Sequence, residues 1–268
     1  MIRTLSLGLA AAVALSAAPA GAQPAEDDED VLIVSFGVGP QALPEFPGSD
    51  EYRVQPLFGG HVRREGQPIP ARAPDDGFGV SLTGRSGPIE IGPMVQFQPK
   101  RDPEDIGAAF EEVDFTFEPG AFVNFKISDS FRVRAEGRRG FGGHEGFIGD
   151  IGVDFFTRPG PDTLISIGPR VRLADSEYME TYFGVTPAAA AASGLPAYTP
   201  EGGVKSVGAM FGITHQLSRS FGIYGYAGYD RLLNDAADSP IVRFRGSEDQ
   251  YSGGITLYYS FRMRNPFR

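Results

Sequence analysis

The chain has 268 residues, a formal net charge of −10, and neither cysteine nor tryptophan. This length allows one large domain or two small ones. The missing cysteine excludes a disulfide framework, a thiolate metal site and a cysteine nucleophile, and the acidic balance sets the chain against nucleic acid, whose phosphates attract basic surfaces.

At the N-terminus Arg3 supplies a positive start, and residues 5–17 form an apolar run of small and aliphatic side chains. Ala20-Gly21-Ala22 puts small residues at both cleavage-recognition positions, so residues 1–22 read as an export signal cleaved after Ala22. The run is shorter than the roughly 20 residues a spanning helix needs, which argues against an anchor. Residues 23–30 carry acids at every position from 26 to 30 and read as a solvated, disordered leader, because like charges repel and fix no cation-binding geometry. No later stretch is long and apolar enough to span as a helix. A periplasmic protein, a secreted one, or a barrel in a bacterial outer membrane remain.

The rest of the chain alternates with a period of two. In 113–127 one face reads Val113, Phe115, Phe117, Pro119, Ala121, Val123, Phe125, Ile127, and the other Asp114, Thr116, Glu118, Gly120, Phe122, Asn124, Lys126. A strand sends alternate side chains to opposite faces, so one face is apolar and the other mostly polar. Similar faces recur near Ile91, Ile151 and Ile165, with Asp150, Asp154, Arg170 and Arg172 on the polar side. In a barrel the apolar face meets lipid and the charges line the lumen, and lipid forces closure because it cannot pair backbone groups. Arg132, Arg134, Arg170 and Arg172 either bias a pore or pair with Asp114, Glu118, Glu136, Asp150 and Asp154 and fill it.

Connections alternate between short turns, near 85–87, 128–129, 159–161 and 218–219, and long loops at 41–52, 100–111, 174–203 and 234–250. This asymmetry fits short periplasmic turns and long outer loops. Eleven strands stand out; a weak one at 67–72 restores an even number, so the expectation is a closed antiparallel transmembrane β-barrel of about 12 strands, with ten as the alternative. Ile255, Leu257, Tyr259 and Phe261 give the final strand an aromatic-ended face of the kind that barrel-assembly machinery recognises, although residues 262–268 follow it as a tail. The barrel is therefore expected over 31–261.

In the long loops, Pro44-Glu45-Phe46-Pro47-Gly48-Ser49 is similar to a P-x-Y-x-G-S motif. Residues 174–186, with Tyr178, Tyr182, Phe183 and Gly184, resemble A-D-x-x-Y-x-x-x-Y-F-G-V and continue into Ser193 and Gly194. Residues 231–242, with Asp235, Ser239 and Pro240, resemble R-L-x-x-D-A-x-x-S-P-I-V. Together these motifs resemble the MipA/OmpV family of outer-membrane proteins, the MltA-interacting proteins. The resemblance implies an outer-membrane barrel and, in part of the family, a scaffold linking murein-degrading and murein-synthesising enzymes. Read physically, Pro187 and the alanines after it start a short helix that Gly194 stops, and Asp235 and Asp238 can bond nearby backbone to fix a turn before Pro240. The motifs either fold the loops over the barrel mouth or form a binding surface.

Enzyme chemistry finds little support. The three histidines are His61, His144 and His215, and neither a G-x-S-x-G elbow nor an H-E-x-x-H spacing occurs. His144 lies in a glycine-rich loop, where solvation is the simplest reading. The expectation is a non-enzymatic barrel without cofactor or metal, in contact with outer-membrane lipid and, by resemblance, murein enzymes; a porin-like channel for small solutes is the alternative.

Overall fold

The structure, a computed structural model, describes residues 31–84, 87–107 and 110–264. The signal and leader expected at 1–30, the turn at 85–86 and residues 265–268 of the tail lie outside the described residues.

Alternating sequence makes long strands: β1 (Val31–Pro44), β2 (Tyr52–Arg64), β3 (Phe78–Gly79), β4 (Ile89–Gln98), β5 (Thr116–Lys126), β6 (Phe131–Arg139), β7 (Phe147–Gly160), β8 (Thr163–Ala174), β9 (Gly203–Gln216), β10 (Phe221–Leu232) and β11 (Asp249–Arg264). They form one antiparallel sheet in the order β2-β1-β11-β10-β9-β8-β7-β6-β5-β4-β3. The last strand runs on past Phe261 to Arg264, which pairs with Val31 at the start of β1. Short turns cluster at one end of the sheet, which we call the turn end, and long connections at the other, the loop end. The loops carry α1 (Pro103–Ile106), α2 (Ser176–Phe183), α3 (Pro187–Ser193), α4 (Asn234–Asp238) and α5 (Pro240–Arg245). The expected short helix is α3; Thr186 accepts a hydrogen bond from the Ala189 N–H at its start, and Gly194 ends it in the left-handed conformation.

The faces divide as the alternation requires. On β5, Phe117, Val123 and Phe125 point outward, while Glu118, Phe122 and Asn124 are buried inside the curl. The outward belt continues over the other strands, with aromatic pairs such as Phe131–Phe155 and Phe221–Tyr259 lying across neighbouring strands. Exposed apolar side chains on this scale mark an apolar environment. Asp114 departs from the pattern: β5 starts at Thr116, and Asp114 sits exposed in the preceding loop. Val113 is buried there, bridged to Arg101, because the loop folds back at that point.

The strand count differs from the expected 12. The described residues form eleven strands, and among them no ladder joins β2 to β3, the two ends of the sheet. Following the antiparallel pairs around the sheet makes β2 and β3 run in the same direction, both toward the turn end. The chain must therefore cross back between them, and residues 65–77 make this crossing inside the curl rather than as the strand expected at 67–72. The reason is chemical. Pro68, Pro70 and Pro74 cannot donate to a ladder, and Arg72, Asp75 and Asp76 have no place against lipid. Ile69 packs instead on inward Phe156 and Leu164, and the two aspartates reach arginines of the lumen wall.

Candidate functional site

Paired charges pack the lumen against β6 to β8. On β6, Arg132, Arg134, Glu136 and Arg138 alternate along the inner face; Arg132 and Arg138 meet acids on neighbouring strands, and Arg134 meets Glu136 on its own strand. Arg132 pairs with Asp154 at 2.6 Å, directly opposite it in register. Arg170 reaches the same aspartate at 2.7 Å. Gly152 leaves room for that arginine: a Cβ there would lie 2.9 Å from the guanidinium. Arg138 holds Glu118 at 3.0 Å and Asp150 at 2.7 Å, and it also pairs with Glu136. Arg134 pairs with Glu136 at 2.8 Å and donates to Asn124 at 3.1 Å. Arg172 reaches Asp150 at 3.3 Å and Asp230 at 2.9 Å. Lys126 lies near the turn end, its backbone N–H bonded to the Pro88 carbonyl.

The inner crossing completes this network. Asp75 pairs with Arg170 at 2.7 Å and Arg172 at 3.4 Å. Asp76 pairs with Arg132 at 2.7 Å and Arg134 at 3.5 Å. Sequence reasoning misses both aspartates as lumen groups, because their partners lie more than fifty residues away and nothing local reveals them. Of the two options for the arginines, the structure takes pairing: Arg132, Arg134, Arg170 and Arg172 each have an acid.

A cap closes the loop end, and the resembling motifs build it. Asp175 accepts a hydrogen bond from the Tyr178 N–H at 2.9 Å and starts α2, which buries Tyr178, Met179, Tyr182 and Phe183. These pack with Leu232, Ala236 and Val242. A second cluster joins Phe46, Ile106, Phe110, Val185, Ala189 and Ile241. Ser239, fully buried, donates to the Phe183 carbonyl at 2.7 Å and accepts from the Ile241 N–H, ahead of Pro240 in the first turn of α5. Gly48 takes a φ of +101° and donates its N–H to Gln250 at 3.0 Å, while Ser49 gives its carbonyl to the same side chain. Gly184 ends α2 with a bond from its N–H to the Glu180 carbonyl, and the Ser193 carbonyl accepts from Arg245. Asp235 binds the Glu201 N–H at 2.6 Å, so its partner is the distant 175–202 loop rather than the local turn expected from sequence. Asp238 pairs with Arg243 of α5.

Arg101 is a further cap residue that sequence reasoning misses. It is buried, donates to the Thr181 carbonyl at 3.0 Å near the end of α2, and lies over the Tyr182 ring. Burial lowers its pKa from the ordinary arginine value. Burial likewise pushes the phenols of Tyr178 and Tyr182 well above their usual range, so both stay neutral.

His144 is buried between these two tyrosines and bonds Glu118 at 3.1 Å, which corrects the expectation of a solvated loop histidine. His61 faces the lumen and bonds Ser35, itself 2.8 Å from Ser260. His215 bonds Thr163 near the turn end. Among the described residues no group of His, Asp and Glu is arranged to hold a metal ion.

A cavity of about 910 Å³ lies between β2 and the inner crossing and extends to inward Leu164, Thr214, Tyr224 and Thr256 of β8 to β11. Near its loop end Arg53 of β2 donates to the Lys100 carbonyl at 3.1 Å, tying β2 to the loop that follows β4.

No curated protein matches the chain in sequence. Among solved structures it is similar to the COG4313 outer membrane channel from Pseudomonas putida F1, at 8% identity over 90% of this chain and 100% of that one, with a TM-score of 0.41. It is also similar to the NanC porin, at 7% identity over 85% of this chain and 100% of that one, with a TM-score of 0.39. The family model for MltA-interacting protein MipA matches residues 36–261. That span takes in every strand from the middle of β1 to Phe261 of β11 and all the cap motifs, and the chain belongs to this family.

Proposed function

We propose that the chain resides in a bacterial outer membrane, turn end toward the periplasm, and acts there as a non-enzymatic scaffold for murein enzymes. The observation that carries this reading is the occupied side of the interior: paired arginines and the inner crossing occupy the lumen against β6 to β8, and the packed cap lies over the loop end. A barrel built this way invests its polar interior in rigidity rather than in a water-filled path. The outward apolar belt supports residence in lipid. The family's name, MltA-interacting protein, supports a murein-enzyme partner. Export through a signal cleaved after Ala22 and delivery by barrel-assembly machinery belong to the same reading.

The contact surface is expected at the turn end, where Asp129 and Arg219 are exposed at turn tips. Photocrosslinkers at these positions, and separately at exposed Glu177 on the cap, should give murein-enzyme adducts from the turns alone. Adducts at neither surface, together with steady ion conductance of the purified protein in planar bilayers, would replace the scaffold with a porin-like channel.

A further inference from the structure

The unladdered side of the sheet is a gap in a wall that lipid would otherwise seal. A strand edge facing hydrocarbon leaves N–H and C=O groups without partners, a cost of several kcal/mol each unless something polar meets them. Here β2 and β3 share no ladder among the described residues, and the cavity of about 910 Å³ lies behind this gap. That volume falls at the upper end of small-molecule pockets.

Its lining changes character with depth. Phe58, Phe78, Phe97 and Phe115 line it and are also exposed on the outward, apolar face. Phe78 and Phe115 each pack on Phe97, with ring centroids 6.3 and 5.7 Å apart, so one lip of the opening is a continuous aromatic row. Farther in, the lining is mixed, with Ile69 and Leu164 beside Asp75, Asp76, Tyr224 and Thr256. Thr256 is 1% exposed, and its hydroxyl has no hydrogen-bond partner. A buried hydroxyl without a partner is costly and points to a ligand atom that would meet it.

We propose that this opening admits a single-chain amphiphile of the fatty-acid type from the bilayer, with its hydrocarbon tail among the phenylalanines and its polar end at Thr256. The inference rests on the reading that the outward face meets lipid. A second copy pairing along the β2 edge fits less well: β3 offers only two laddered residues, and such pairing would leave the cavity empty.

The experiment uses the mature protein, purified in detergent, and a palmitic acid analogue carrying a photoreactive diazirine on its tail. Labelled peptides are mapped by mass spectrometry. Labelling should concentrate on the peptides bearing Phe58, Phe78, Phe97 and Phe115, and unlabelled palmitate should compete it away. Gly59 lines the cavity, and a Cβ there meets no atom within 4 Å, so Gly59→Phe starts its side chain from open space at the cavity and should abolish the focused label. Gly137 also has open space at its Cβ but lies elsewhere, on β6, and Gly137→Phe should leave the label intact. Thr256→Val keeps the side-chain shape and should weaken competition by palmitate roughly fivefold, the worth of one hydrogen bond. Heat-modifiable migration on gels confirms that each variant is folded. Label spread evenly around the belt, or equal label in both glycine variants, overturns the proposal, as does a dimer crosslinked through β2 with no focused label. A protein that needs no detergent to stay in solution overturns instead the reading of the outward face.

Discussion

Replacing Asp76 by Ala tests whether the inner crossing is pinned by charge. The carboxylate accepts from Arg132 at 2.7 and 2.8 Å, pairs with Arg134 at 3.5 Å, and accepts the Ala73 N–H at 3.1 Å within the crossing itself. Removing one partner of a buried ion pair costs about 3–5 kcal/mol, because the remaining charge stays buried. Arg132 keeps Asp154 at 2.6 Å, which places the loss near the lower end, about 3 kcal/mol. Urea unfolding in detergent micelles, followed by tryptophan-free near-ultraviolet dichroism and gel migration, reads this loss. Asp238→Ala serves as comparison: it breaks a pair with Arg243 in which both side chains are more than half exposed, and should cost under about 0.5 kcal/mol. If Asp76→Ala costs no more than Asp238→Ala, the crossing is not held by its aspartates and the account of the packed lumen fails.

Releasing both aspartates, with Asp75→Ala added to Asp76→Ala, should raise ion conductance in planar bilayers above that of the parent; unchanged conductance would mean that the inner crossing does not limit the path. Val123→Arg should destabilise refolding by about 2–4 kcal/mol if this outward residue lies near the bilayer midplane, whereas Val123→Leu should be close to neutral in the same assay. Ser239→Ala removes both the start of α5 and the bond to the Phe183 carbonyl, and should cost about 1–2 kcal/mol in thermal unfolding. Tyr182→Ala empties a fully buried site in the cap and should cost about 3–5 kcal/mol, seen as protease cleavage within residues 175–202 before the strands yield.

Much of the wall is legible from sequence because alternation is a local property. Phe117 and Glu118 announce opposite faces without knowledge of any partner, and every strand built this way can be placed by eye. The cap motifs are visible as motifs, yet what they do is not: Ser239 and Phe183 are joined by a hydrogen bond across a sequence separation of 56 that no spacing rule anticipates. The inner crossing is the instructive failure. Parity asks for one more crossing at 67–72, and the chain does make one, but prolines and acids turn it inward, where its worth depends on Arg132 and Arg170 in strands far along the chain. Asn124 teaches the same lesson on a smaller scale. Its sequence shows only a place on the polar face, but it accepts from Arg134 and donates to Glu90, so a cation there would meet another cation.

The order of strands around the sheet has a consequence for how the molecule could be rewired. Every neighbour in the sheet is also a neighbour in sequence, save where β1 meets β11, and there the first and last described residues, Val31 and Arg264, sit side by side. The ring of strands is thus continuous except at the seam that residues 65–77 bridge covalently. A circular permutant that joins Arg264 to Val31 through a tight turn, begins at Phe78 and ends at Arg64 would keep every ladder while leaving the inner crossing out altogether. It would present the wall without its filling, and turn the filling into a separate peptide that could be added back.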